Sequence, residues 1–425
     1  DLYVKPDGND ANSGKSLQKA KRTIQAAINA ANSGETVKVA AGTYRETLTL
    51  KNGVIIQGAG AETTRIEYGG SSPVINAINI QSGEISGFSI ACTGSVGVTV
   101  YLEGSALAIT KNLITGAVYS GIEVNNSNPQ ITNNVVKNNK ESGIFMHSGG
   151  RGNITVNNIS DNGSTGIMID KNSDPEIVNN VVKNNAQAGI AVRGGSLGTI
   201  SKNTISNNGY SGVEVLEKAD PNITDNEIRD NKQSGVYILS SGLGTISGNV
   251  ISGNGFSGIM VEGGSDPKIT ANVIWNNTQC GVFVNEASHG TIYRNVILSN
   301  GYSGIEVSRS SDPLIDHNTI VGNNIGIWAY LDAFPNITNN IIVGNSKYGI
   351  DTRGYSYGND GSPFVAFNDV WGNGSGDYSG IGMPWTDISE DPLFVDYTKG
   401  DYRLRPDSPC HGMASDNTDL GALES

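Results

Sequence analysis

Apolar and polar residues alternate along this chain in short runs, and the runs recur. Gly121-Ile122-Glu123-Val124, Gly143-Ile144-Phe145-Met146, Gly166-Ile167-Met168-Ile169 and further copies through Gly349-Ile350-Asp351-Thr352 stand 22 or 23 residues apart. Gly97-Val98-Thr99-Val100 reads as a looser copy, 24 residues before Gly121. In every copy but the last, which has Thr352 in fourth place, the second and fourth residues are apolar, and the third and fifth are mixed, the period-two pattern of a strand with one buried face. A second phrase follows in every repeat, spelled by Ile131, Asn134, Val136 and Asn139, again by Ile200, Asn203, Ile205 and Asn208, and again by Ile315, Asn318, Ile320 and Asn323. No Leu-x-x-Leu-x-Leu frame and no helical period accompany it. The spacing predicts an all-β solenoid, a single-stranded parallel β-helix. Equivalent Asn side chains would then stack from coil to coil and pair their amides instead of burying them unsatisfied.

A solenoid lengthens along one axis without dividing its core. A chain of 425 residues, which by length alone suggests two or three domains, is therefore expected to form one domain over 1–425. Residues 1–36 hold a first strand, a polar loop and a cap helix, 37–373 the coils, and 374–425 a C-terminal capping segment. Ile24, Ala27, Ile28 and Ala31 fall at helical spacing within Leu17 to Ala31. That spacing predicts an amphipathic N-terminal capping helix of about four turns, covering the open end of the first coil.

Charge narrows the partners. The formal net charge of −13 and pI near 4.8 argue against nucleic acid and anionic membranes, and no run is long enough to span a bilayer. Asp1 reads as a mature terminus left by removal of a signal peptide, which places the protein outside the cell or on its surface. Cys92, Cys280 and Cys410 have no metal or redox spacing, and Cys280 replaces the Ser found at this position in neighbouring repeats (Ser211, Ser234, Ser257, Ser303). The loop containing Asp7, Asn9, Asp10 and Asn12 has the oxygen chemistry for Ca2+ but not EF-hand spacing, so an ordinary turn is the plainer reading. No other cofactor is required.

The ends carry a resemblance. Tyr3-Val4-Lys5-Pro6-Asp7-Gly8-Asn9-Asp10, Thr23-Ile24-Gln25-Ala26-Ala27-Ile28, Gly34-Glu35-Thr36-Val37 and Ala41-Gly42-Thr43-Tyr44-Arg45-Glu46 look like the opening of secreted right-handed β-helix proteins. Asp391-Pro392-Leu393-Phe394-Val395-Asp396 and Asp419-Leu420-Gly421-Ala422 look like their closing segment. The chain thus resembles the pectate-lyase-like superfamily, with its NosD-like members and pectate lyases, and shares its style of repeat and tail with archaeal disaggregatases of cell-surface polysaccharide. The resemblance implies a right-handed coil and a polysaccharide partner. The clustered calcium-binding aspartates of the pectate lyases, the aspartate and Gly-His-Gly set of the polygalacturonases and the Asp-Pro-His motif of alginate epimerases are missing, so no catalytic residue carries over. Metal delivery, the other role a NosD likeness suggests, lacks the Cys, Met or His clusters it needs.

The third and fifth residues of each Gly-led run should face outward, giving an elongated track of charge and aromatics suited to a sugar chain. The catalytic candidates on it are His147, Asp170, Arg193, Glu214 and Glu262. The substrate-binding candidates are Tyr210, Tyr237, Phe256, Phe283, Tyr302, Glu306, Trp328 and Tyr330. Asp170 with Glu214, or Glu214 with Glu262, stand two coils apart. That is roughly 9.6 Å at ~4.8 Å per rung, near the upper end of the ~6.5–9.5 Å separation of inverting glycosidases. Elimination instead asks for a cation such as Arg193 to neutralise a uronate while His147, Lys171 or Tyr237 takes the proton. The plainer reading of Asp170 with Arg193 is a cross-strand salt bridge, and that of His147 a surface histidine. Aromatic residues also alternate with Gln two residues before the Gly, as Tyr210, Gln233, Phe256, Gln279 and Tyr302, so the underlying unit is two coils. Duplication of a two-coil ancestor accounts for this; so does a polymer met every second sugar. The expectation is an extracellular enzyme, lyase or hydrolase, that cleaves glycosidic bonds of an acidic or amino-sugar polysaccharide. The competing class is a non-catalytic carbohydrate-binding or surface-structural β-helix.

Overall fold

The computed structural model describes residues 1–95, 97–354 and 359–423; the last two residues of the expected closing segment, 424–425, lie outside the described residues. The chain forms two compact units, Asp1–Gly209 and Tyr210–Ser425. Each is a parallel β-helix of three sheets, every turn of chain supplying one short strand to each sheet.

In the first unit Ile131, Ile154, Ile177 and Ile200 sit in register on successive coils. In the second Ile223, Ile246, Ile269, Ile292, Ile315 and Ile337 do the same. All are essentially inaccessible to water. The second and fourth residues of the Gly-led runs, such as Ile122 with Val124 and Val236 with Ile238, complete the same core, as the alternation requires.

The Asn columns form as expected. In the first unit Asn134 donates through its backbone N–H and Nδ2 to Asn157 Oδ1 at 2.9 and 3.1 Å, and Asn157 does likewise to Asn180. A second column joins Asn139, Asn162, Asn185 and Asn208. In the second unit the two columns end on carboxylates: Asn368 donates to Asp387 Oδ1 and Asn373 to Asp377 Oδ1. The residue before each ladder Asn takes a left-handed backbone, as Asn133 (φ 57°) and Asn138 (φ 55°) do. The repeated Gly needs space rather than positive φ. A Cβ on Gly258 would stand 2.7 Å from the Gly281 carbonyl and 2.9 Å from Asn277 Nδ2, so only a bare Cα fits beside the ladder.

Two expectations change. Thr99, not Gly97, lies at the level of Gly121, because Val100 and Leu102 fill the core opposite Ile122 and Val124. Register follows the side chains that fill the core. The expected four-turn helix is an α-helix of Ile24–Ala30 preceded by a 3-10 turn at Leu17–Lys19. Lys21 breaks it by bridging to Val4, and Thr23 caps the later start through the Ala26 N–H. Glu46 accepts the Ile24 and Gln25 N–H groups, each at 2.9 Å. Finally, the closing segment packs against a sheet's outer face. Phe394, Leu404, Cys410, Ala414 and Leu420 cluster with Ile341 and Val343, the outward neighbours of core residue Ile342.

Candidate active-site face

In the second unit the third residues of the Gly-led runs make one column. Glu214 lies in register with Tyr237, Tyr237 with Met260, Met260 with Phe283, Phe283 with Glu306, Glu306 with Trp328, and Trp328 with Asp351. Rungs ~4.8 Å apart put these side chains within reach of one another, though some are distant in sequence.

Glu214 is half-buried, in register with Tyr237 on the next rung. Among the described residues nothing donates a hydrogen bond to it, and burial alone pushes its carboxyl above the usual carboxylate range. Glu262, two rungs on, is held differently. Tyr237 Oη donates to its Oε2 at 2.8 Å and Asn285 Nδ2 to its Oε1 at 3.1 Å, while Ser308 Oγ donates to Asn285 Oδ1 at 2.9 Å. Burial and the neighbouring Glu262 carboxylate push the Tyr237 phenol up. The face therefore offers one carboxyl biased toward its protonated form, Glu214, and a second, Glu262, held in place by two donors. Tyr237 also lines a pocket of about 250 Å³, together with Tyr210, Gln233, Phe256 and Met260; neither carboxyl is in its wall.

Further along, contact replaces exposure. Glu306, Trp328 and Tyr330 are only 6, 5 and 7% exposed. Trp328 stacks on Tyr330 with centroids 4.2 Å apart, Tyr330 Oη donates to Glu306 Oε1 at 2.7 Å, and Cys280 Sγ to Glu306 Oε2 at 2.9 Å. These three residues, named above as substrate-binding candidates, are turned toward each other, Trp328 stacking on Tyr330 and Tyr330 bonding Glu306. Burial raises the Glu306 carboxyl, against the pull of its two donors. Tyr302 leans on Trp328 at 5.7 Å and keeps an exposed face, while Phe283 is half-buried between Met260 and Glu306.

The other candidates belong to the first unit. His147 stacks on Phe145 at 4.6 Å and bonds Glu123 Oε1 through Nε2 at 3.1 Å and Ser148 Oγ through Nδ1 at 2.8 Å. Asp170 is in an ion pair with Arg193 at 3.0 Å, the plain reading of that pair. Glu123, Asn285 and Ser308 orient the candidates, although only their facing, not their contacts, could be read from the repeat. In the N-terminal loop Lys21 Nζ donates to the Asp10 and Asn12 carbonyls, both at 2.9 Å, and Asp10 accepts from Arg22 N, Thr23 N and Thr23 Oγ1. The loop thus encloses an ammonium. No group of three or more His, Cys, Asp or Glu is placed to hold a metal ion among the described residues, and among them no helix is long and apolar enough to cross a membrane.

Comparison with known proteins bears on the fold. No curated protein matches the sequence. Among solved structures, the pre-mature bacteriophage phi29 gene product 12 is 14% identical, covers 84% of this chain and 53% of its own, and gives a TM-score of 0.51. The A-module of the Azotobacter vinelandii mannuronan C-5 epimerase AlgE6 is 18% identical over 87% of this chain and 94% of that one, at 0.46. Pectate lyase Pel9A is 16% identical over 100 and 96%, at 0.29. At such identities the likeness is one of fold. Residues 68–222 and 211–366 match the family described as the right-handed β-helix region. With its stacked parallel sheets and matched coils, this chain belongs to the right-handed β-helix family.

Proposed function

We propose that this chain is an extracellular enzyme that cleaves glycosidic bonds of a polysaccharide by hydrolysis, with Glu214 as general acid and Glu262 as general base. The observation that carries the proposal is the contrast between the two carboxyls. Glu214 has burial and no donor, which favours the protonated form. Glu262 is held in place by two donors, Tyr237 and Asn285. Two rungs along the coil axis and two residues along the strand separate them, roughly 12 Å at the backbone, so the two side chains must lean toward each other to flank a sugar bond and a water. In the step, Glu214 gives its proton to the glycosidic oxygen as the bond to the anomeric carbon breaks. Glu262 takes a proton from the water whose oxygen bonds to that carbon. Tyr210 and Phe256, in the wall of the pocket that Tyr237 lines, supply ring faces for a sugar.

The structural neighbours named above include enzymes of polysaccharides, which accords with this reading. Elimination would need a cation beside the substrate's acid group, and Arg193, the cation the sequence offers for it, is committed to Asp170. Incubation with a polysaccharide panel tests the proposal: reducing ends should appear without the ultraviolet absorbance of an unsaturated product. Glu214→Gln should lower the rate about 10²–10⁴-fold, the usual worth of a positioned acid. An unsaturated product would replace hydrolysis by elimination. Binding without any product would make the chain a carbohydrate-binding β-helix, the second class its sequence allows.

A further inference from the structure

The rail of side chains two residues before the repeated Gly is fixed by its own backbone ladder. Gln233 N donates to Tyr210 O at 3.1 Å, Phe256 N to Gln233 O at 3.2 Å, Gln279 N to Phe256 O at 2.9 Å and Tyr302 N to Gln279 O at 2.8 Å. The five residues therefore stand one rung apart in a single line, aromatic and amide in strict alternation. Tyr210 is 51% and Tyr302 37% exposed, and Phe256 is partly exposed. Depressions flank the aromatics: one between Tyr210 and Phe256 with Gln233 in its wall, another beside Tyr302 lined also by Trp328, Lys347 and Tyr348.

Duplication of a two-coil ancestor explains how such an alternation arose, but does not require rings to remain on the surface. Exposed rings in a row usually have a partner. Successive rings lie two rungs, roughly 9.6 Å, apart, close to the length of a disaccharide. We infer that this rail binds a linear polysaccharide built on a two-sugar repeat, lying parallel to the coil axis of the second unit. One sugar of each repeat stacks on Tyr210, Phe256 or Tyr302, and the other hydrogen-bonds Gln233 or Gln279. The inference rests on the polysaccharide reading above and adds the kind of polymer and its register. A homopolymer offers the same sugar to ring and amide alike; an alternating one matches each to its own.

Affinity electrophoresis tests it, in gels containing hyaluronan or heparin, whose repeats alternate, or polygalacturonate or dextran, which are homopolymers. The wild-type protein should be retarded by at least one alternating polymer and less by either homopolymer. Tyr210→Ala, Phe256→Ala and Tyr302→Ala should each weaken that retardation about three- to tenfold. Gln279→Tyr, which puts a ring on an amide rung, should weaken it too. Circular dichroism confirms that these surface variants keep their sheets. Equal or stronger retardation by the homopolymers overturns the two-sugar register. So does retardation that survives the triple alanine variant, while cleavage of the panel by wild type would leave the hydrolase reading standing. No retardation by any of the four overturns the rail, and cleavage of the wider panel then decides the hydrolase reading separately.

Discussion

Replacing Asn157 by alanine measures what the amide ladder contributes. Asn157 is 2% exposed. Its Oδ1 accepts from the Asn134 backbone N–H at 2.9 Å and from Asn134 Nδ2 at 3.1 Å, and its Nδ2 donates to Ile131 O at 2.8 Å and Asn180 Oδ1 at 3.0 Å. Two neighbours keep a partner without it: Asn134 Nδ2 still reaches Ile109 O at 2.8 Å, and Asn180 Oδ1 still accepts from the Asn157 N–H at 2.9 Å. The Asn134 N–H and the Ile131 carbonyl each lose a bond in a dry interior. At roughly 1–3 kcal/mol for each buried group left unsatisfied, Asn157→Ala should cost about 2–5 kcal/mol. Asn157→Asp should cost at least as much, since an added carboxylate oxygen would face the Ile131 carbonyl and Asn180 Oδ1. The control is Asn153→Ala, which loses one surface bond to Gln130 and should stay within about 0.5 kcal/mol. Urea unfolding reads the difference, with hydrogen exchange at neighbouring amides to locate the loss, since stacked coils need not unfold as one unit. Equal midpoints for the Asn157 and Asn153 variants would refute the reasoning.

Other expectations are smaller or conditional on pH. Val156, exposed and β-branched, holds φ 57° at the position where other coils place Asn133, Asn179 and Asn339. Val156→Asn should stabilise by about 1 kcal/mol in the same urea assay, and a lower midpoint would show the strain is not there. Asp369 is fully buried, accepts from Glu390 N and Cys410 Sγ, and is pushed from 3.8 to about 7, chiefly by burial. A carboxyl raised by folding stabilises the fold below its unfolded pKa, and that stabilisation is lost as pH rises through the folded value. Stability should therefore fall by on the order of 2–4 kcal/mol between about pH 4 and 7, and Asp369→Asn should flatten the profile; an unchanged slope would count against it. For Glu214, whose carboxyl burial also raises, activity should decline as pH climbs through its pKa. A decline on the acid side alone would point to a different acid.

The coil was legible in the repeat alone. A 23-residue period with alternating apolar residues and paired Asn admits one economical arrangement, because each coil can bury its Ile and satisfy its amides only against another like it. Outward facing was legible for the same reason, so Glu214, Tyr237 and Glu262 could be named as neighbours. Contacts were not. Tyr237 reaching Glu262, Asn285 steadying it, and Trp328 folding onto Tyr330 over Glu306 depend on how side chains from adjacent rungs lean, and period two is silent on lean. The loose copy at Gly97 misled because composition marks a Gly while register follows the core, which Val100 and Leu102 occupy. The packed coils, and not the repeat, show that the Gly column exists for want of room beside the ladder. They also show that Asp377 and Asp387 end the ladders, and that the closing segment lies on a sheet's flank. Each of these turns on atoms far apart in the chain, brought together by the stacking of rungs.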